Sequence, residues 1–280
     1  VSQLAHEVAL ALTGSGSPSP GPEARQLVAH VLGVDASLLM TVDDVTDEQR
    51  ARVGELVARR ASGEPLQHLT GVAYFRYEEL AVGPGVFIPR PETEEMVGWA
   101  LGQLAARPAG SRRVVELCAG SGAITAAISS ELGGCELHAV ELSADAWPYL
   151  EHNLAGRSVD VRLGDMADAF RDLDGTVDLV IANPPYIPTG HRAFLPTDVV
   201  EHDPELALFS GADGLDAIRT VAAVARRLVR AGGLVVTEHD ESHAAGVRAV
   251  LAAAGFSEAA THPDLAGRDR FTSAVIGWDA

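Results

Sequence analysis

The chain has 280 residues, 47% of them hydrophobic, and a formal net charge of −18 with all 21 basic residues arginine. That is enough apolar material for one large core or two modest ones. No run of 18 uninterrupted apolar residues occurs, so a helix that spans a bilayer is excluded. The acidity counts against a protein that grips duplex nucleic acid through a basic face, since no basic cluster exceeds a pair such as Arg112-Arg113, and it favours a basic partner. Cys118 and Cys135 form no metal-type pair and fit a reducing cytoplasm.

Residues 1 to about 70 read as helices. The opening segment has no basic leader and is interrupted by Gln3, His6 and Glu7, so it is expected to be a helix rather than a signal peptide. Apolar residues recur at helical spacing at Leu4, Val8 and Leu12, then at Leu27, Val28, Val31 and Leu32, and again at Val53, Leu56 and Val57. The Gly/Ser/Pro stretch 14–22 separates the first two helices, and Thr46 with Gln49 predicts a capping box for the third. Residues 70–90 alternate aromatic or apolar with polar positions, which predicts a β-hairpin turning at Glu78-Glu79.

From residue 112 strands and helices alternate. Strands are expected at 112–120, 135–142, 159–165, 177–185, 232–240 and 270–278, with helices between them. This pattern predicts parallel βαβ units in a doubly wound sheet. Ligands bind beyond the carboxyl ends of such strands, and three segments lie there. Glu116-Leu117-Cys118-Ala119-Gly120-Ser121-Gly122 joins a strand to a helix, and its glycines let backbone approach a ligand. Thr125 stands where a dinucleotide fingerprint has its third glycine or alanine, which counts against NAD. Glu141, at the end of the next strand, suits a pair of ribose hydroxyls, and Asp165-Met166 suits an adenine amine and ring.

Asn183-Pro184-Pro185-Tyr186 follows the apolar strand at 177–181 and is the most specific signal in the chain. The prolines fix φ and remove amide donors, leaving the Pro184 carbonyl as an acceptor beside the Asn183 side-chain carbonyl and the Tyr186 ring. Two acceptors and a flat ring make a clamp for a planar NH2 group. Such a nitrogen is a poor nucleophile, so alignment with a sulfonium methyl and acceptors for its N–H groups are the help it needs. No strong base is then required before attack.

Here the chain resembles the class I S-adenosylmethionine-dependent methyltransferases, and more narrowly the release-factor glutamine methyltransferases of the HemK/PrmC type. The resemblance extends to Gly63-Glu64-Pro65-Leu66-Gln67-His68-Leu69-Thr70-Gly71, to Ile88-Pro89-Arg90-Pro91-Glu92-Thr93-Glu94, to Pro204-Glu205-Leu206-Ala207-Leu208, to 211–216 and to Gly267-Arg268-Asp269-Arg270. It implies an α/β fold, with a helical substrate-recognition domain (1–70), a hairpin linker (71–92) and a Rossmann-like methyltransferase domain (93–280). It further implies a cytoplasmic monomer that uses S-adenosylmethionine, yields S-adenosylhomocysteine, and needs no membrane, metal or direct nucleic-acid contact.

The implied substrate is the glutamine of the Gly-Gly-Gln motif in class I peptide chain release factors. Glu116, Cys118, Ala119, Gly120, Ser121, Gly122, Glu141, Asp165, Met166 and Asn183 would contact the cofactor. Asn183, Pro184, Pro185 and Tyr186 would hold the glutamine, with Asn183, Pro184 and Tyr186 catalytic, and Arg90 and Thr93 would line the cofactor entrance. The family usually has Asp at the positions of Glu116 and Glu141 and glycine at that of Cys118. An extra methylene moves each carboxylate by about 1.5 Å, a covalent bond's length. His239 and His243 stand among acids at a spacing that suggests a metal, though no cysteine ligand or catalytic-water motif accompanies them. Two competing readings are a methyltransferase of the adenine exocyclic amine in DNA or RNA and a catalytically silent Rossmann-like binding protein.

Overall fold

The computed structural model describes residues 1–108 and 112–277, without the side chains of residues 197 and 198. The chain forms two compact units. The first comprises Val1–Val72, Val82–Pro84 and Pro196–His202; the second comprises Ala73–Ala81, Gly85–Leu195 and the chain from Asp203 onward.

The first unit is built on α1 (Ser2–Gly14), α2 (Pro20–Leu32), α3 (Asp47–Ala61) and α4 (Leu66–Thr70). The apolar stripes read from the sequence meet in one core of Leu4, Val8, Leu12, Leu27, Val28, Val53 and Leu56, with Val31, Leu32 and Val57 partly buried around it. The capping box is present: Thr46 accepts from the Gln49 amide, and the Gln49 side chain accepts from the Thr46 amide. An ion pair from Arg60 Nε to Glu23 Oε2, 2.8 Å, ties α3 to α2.

The second unit opens with β1 (Val72–Phe75) and β2 (Glu78–Ala81). The hairpin forms as predicted, but its turn is at Arg76-Tyr77 rather than Glu78-Glu79. Tight hairpins need positive φ, and Arg76 supplies it at φ 52°. Its guanidinium is held by Glu131 at 2.5 and 2.6 Å, and its amide donates to Glu94 Oε1 at 3.1 Å. Glu78 is buried at the start of β2, where Ser130 and Arg157 donate to it.

There follow α5 (Pro91–Ala105), β3 (Arg112–Leu117), α6 (Ala123–Glu131), β4 (Cys135–Glu141), α7 (Trp147–Leu154), β5 (Val159–Leu163) and β6 (Val177–Ala182). The chain continues through α8 (Thr197–His202), which belongs to the first unit, and then through α9 (Glu205–Leu208), α10 (Asp216–Leu228), β7 (Val229–Glu238), α11 (Ala244–Ala253), β8 (Ser257–Pro263) and β9 (Asp269–Val275) of the second. The sheet order is β5-β4-β3-β6-β7-β9-β8, and β3 pairs in parallel with both β4 and β6. β9 is antiparallel to both its neighbours. The last strand was expected through Trp278, which lies outside the described residues. β8 was not foreseen, because its half-exposed residues carry no apolar alternation. Among the described residues no helix is long and apolar enough to cross a membrane.

Alternation along β6 sorts the core into two layers. Leu179 and Ile181 pack with residues of α5, α6 and α7, whereas Val180 and Ala182 pack with residues of α10 and α11. Asp178 interrupts the apolar run at a register shift between β6 and β7. Its buried carboxylate accepts from the Arg113 amide (2.8 Å), from Arg107 Nη1 (3.0 Å) and from Arg230 Nε (2.8 Å). Removing one partner of such a cluster strands the other charges. Asp178→Ala is expected to lower the unfolding free energy by about 3 kcal/mol, read as a lower urea midpoint. A loss below about 1 kcal/mol would class the cluster with surface ion pairs.

Candidate active site

Leu117 of β3 lies opposite Ala182 of β6. The glycine loop 118–122 and the tetrapeptide 183–186 therefore leave the sheet side by side. A cavity of about 380 Å³ opens over this edge. Its wall includes Glu116 of β3, Cys118, Ala119, Gly120 and Ser121 of the loop, Glu141 at the end of β4, and Asp165 and Met166 after β5. Asn183, Pro185 and Tyr186 line its other side, together with Thr93, Phe75, Phe87 and Pro89. Gly122 and Pro184 are outside the lining. Arg90 is also outside it, paired with Asp203 at 2.6 Å and lying over the Phe87 ring. Phe75 and Phe87 carry no motif that marks them beforehand.

The loop's shape is set by one carboxylate. Glu141 Oε2 accepts from the Gly120 amide and Glu141 Oε1 from the Ser143 amide, both at 2.7 Å. Gly122 caps α6 at φ 80°, and a Cβ there would meet Leu150 Cδ1 at 2.8 Å. The left-handed backbone is what favours glycine here, and the crowding by Leu150 adds to it. Cys118 takes φ 57°, a left-handed conformation that costs a side-chain-bearing residue roughly 1–2 kcal/mol. Its sulfur lies 3.6 Å from that of Met166. Burial, with the carboxylates of Glu141 and Glu116 nearby, pushes the Cys118 thiol up, so it stays protonated and is no nucleophile.

Glu116 is buried and accepts from the Thr125 amide at 2.9 Å. Burial pushes its carboxyl up to about 8, against the pull of the Thr125 hydrogen bonds. The residue that displaced a dinucleotide glycine thus anchors this acid.

Across the cavity, Asn183 Nδ2 donates to Thr93 Oγ1 at 3.2 Å. Thr93 Oγ1 in turn donates to Glu238 Oε2 at 2.6 Å, and the Tyr186 hydroxyl lies 3.4 Å from Glu238 Oε1. One Nδ2 hydrogen is thereby taken by Thr93, and the carbonyl oxygen is left as the amide's acceptor. Burial and the nearby Glu238 push the Tyr186 phenol up, so it remains protonated. Burial also pushes Glu238 up to about 7. His239, beside it in sequence, is fully buried. Its ring nitrogens are both taken, one with the Asp240 carbonyl and one with Thr272 Oγ1, each at 2.8 Å. Its neutral form is favoured by that burial.

No arginine or histidine is among the residues that line the cavity, whereas three carboxylates are: Glu116, Glu141 and Asp165. Such a wall repels a pyrophosphate and suits a ligand that carries positive charge.

Residues 3–71 match the PrmC N-terminal domain, and residues 100–202 match the methyltransferase small domain. The chain is 50% identical over 264 residues to a release factor glutamine methyltransferase of Streptomyces coelicolor, covering 94% of this chain and 93% of that one. It is 45% identical over 267 residues to a release factor glutamine methyltransferase of Mycolicibacterium smegmatis, with coverage of 94% and 93%. A 4-amino-L-phenylalanine/4-methylamino-L-phenylalanine methyltransferase of Streptomyces pristinaespiralis is 37% identical over 269 residues, with coverage of 94% and 91%. With both domains matched and half the residues identical to a relative along nearly the whole length, the chain belongs to the release factor glutamine methyltransferase family.

Proposed function

We propose that this protein transfers a methyl group from S-adenosylmethionine to the side-chain amide nitrogen of the glutamine in the Gly-Gly-Gln motif of class I peptide chain release factors, acting in the cytoplasm as a monomer. The observation that carries the reading is Asn183. It lines the same cavity as the glycine loop and Glu141, and the bond from its Nδ2 to Thr93 leaves its amide carbonyl available as an acceptor. The names of its relatives supply the substrate class.

Glu141, the Gly120 backbone, Asp165 and Met166 would hold the nucleoside part of the cofactor, and Glu116 would face its charged end. When bound, S-adenosylmethionine supplies an electrophilic methyl on a positively charged sulfur and leaves as S-adenosylhomocysteine. The chain's own residues do the rest. Asn183 Oδ1 and the Pro184 carbonyl accept the two N–H bonds of the glutamine amide. They thereby fix the nitrogen and stabilise the positive charge that grows on it. Pro184 and Pro185 keep those acceptors free of competing backbone donors. Tyr186, held protonated, packs a neutral ring face on the flat amide. The helical unit would recognise the release factor, and the acidic surface suits a basic protein rather than nucleic acid.

Transfer of labelled methyl to a purified release factor tests this, run beside its Gly-Gly-Ala mutant, a DNA/RNA mixture and 4-amino-L-phenylalanine. Label confined to the wild-type factor is expected. Label on nucleic acid or on the free amino acid instead would replace the reading with an aromatic-amine one. Asn183→Ala is expected to lower kcat by about 100-fold or more with cofactor affinity retained, and a variant with full turnover would reject the clamp. Calorimetry in buffers of differing ionisation enthalpy checks the acids. Glu116 is mostly protonated at pH 7, below its titration near 8, so a cationic cofactor should expel its proton on binding. Glu116→Gln should abolish that release, and Glu141→Ala should mainly weaken binding.

A further inference from the structure

Thr93, in the first turn of α5, and Glu238, the last residue of β7, belong to neither segment that holds the acceptor nitrogen. Both are buried, at 4% and 1% exposure. From their hydrogen bonds to Asn183 and Tyr186 we infer that Glu238, acting through the Thr93 hydroxyl, is a positioning residue that decides which face of the Asn183 amide meets the substrate. This inference rests on the glutamine-methylation reading above.

An asparagine amide has two faces, a carbonyl that accepts and an NH2 that donates. Turned one way, Asn183 accepts from the substrate amide; turned the other, it sets NH2 against NH2. The Thr93 hydroxyl has a single proton, and the partner that takes it decides the matter. Ionised Glu238 is acceptor-only, so the Thr93 proton goes to Glu238 Oε2 at 2.6 Å. The Thr93 oxygen can then only accept from Asn183, as it does from Nδ2 at 3.2 Å. With its proton on Oε2, Glu238 would instead donate to Thr93 and free the Thr93 proton for Asn183 Oδ1. The amide would turn, and its carbonyl would be lost to the substrate.

The productive orientation therefore exists above the titration of Glu238 and is lost below it. Several groups face this carboxyl. Burial raises its titration to about 7, against the Thr93 hydrogen bond and the positive charge of Arg270; Glu92 adds a like charge, and the Tyr186 hydroxyl opposes it.

Asparagine occurs at only two positions in the chain, Asn153 and Asn183. Asn153 Nδ2 is bound to the backbone carbonyls of Ala81 and Ser121, at 3.0 and 2.9 Å, and serves as the reference. In 15N-asparagine-labelled full-length protein, the Asn183 side-chain NH2 resonances are expected to move with one midpoint near 7. They should stay flat in Glu238→Gln, and Asn153 should stay flat in both. An Asn183 amide that does not titrate across roughly two pH units either side of that midpoint overturns the inference, whatever the substrate proves to be.

Turnover gives the second readout. The kcat of the wild type should fall on acidification through the same midpoint, and that of Glu238→Gln should not. Thr93→Val should lower kcat by about tenfold without moving the cofactor dissociation constant, and Thr93→Ser should recover most of the loss. A Thr93→Val enzyme with unchanged kcat also overturns the inference. A wild-type enzyme that leaves the Gly-Gly-Gln factor unlabelled while its Asn183 resonance titrates would refute the substrate and keep the relay.

Discussion

The parallel pairing of β3 with β6 is the constraint on which the rest of the site depends. Hydrogen-bonded strands lie about 4.8 Å apart, and Leu117 faces Ala182. The two segments that carry the chemistry are distant in sequence, yet they emerge together. β3 also has β4 on its other side, so the order of connections reverses there and a crevice opens. Glu141 leaves β4 at the same edge and reaches back to the Gly120 amide. Its carboxylate shapes the loop before any ligand arrives.

The buried acids of the second unit fall into two kinds. Asp178 is matched by the guanidiniums of Arg107 and Arg230 and helps close the sheet. Glu116, Glu141 and Glu238 are met at close range by amides and hydroxyls instead. Burying a carboxyl with neutral partners favours its protonated form, and Glu116 and Glu238 are accordingly raised to about 8 and about 7. Their charge states remain responsive near neutrality, whereas ion pairing would have fixed them.

Much of the architecture was legible because it rests on periodicity and short-range chemistry. Leu4, Val8 and Leu12 mark a helix face in any context, and Thr46 with Gln49 caps α3 through atoms three residues apart. The strand 177–182, apolar but for Asp178, and the prolines after it announce a buried parallel strand that ends in a rigid turn. The hairpin was legible as an element but not in its turn. Whether Arg76-Tyr77 or Glu78-Glu79 bends depends on Glu131 and Arg157, which come from α6 and the chain after α7. β8 was invisible because an edge strand supported by β9 alone needs no apolar alternation.

By itself the sequence determined the residue types of the candidate site: a glycine loop, an acid at the end of the next strand, an asparagine and two prolines. Each lies within a few residues of a strand end, so local geometry carried the signal. The tertiary structure alone decided how those groups are aimed. Asn183 Nδ2 donates to the Thr93 hydroxyl, and that hydroxyl donates to Glu238. Those three residues come from α5, β7 and the end of β6, and a hydrogen bond among them exists only once the sheet and its covering helix have packed. Side-chain direction is a property of contacts, and contacts between distant residues have no period or spacing for a sequence to display.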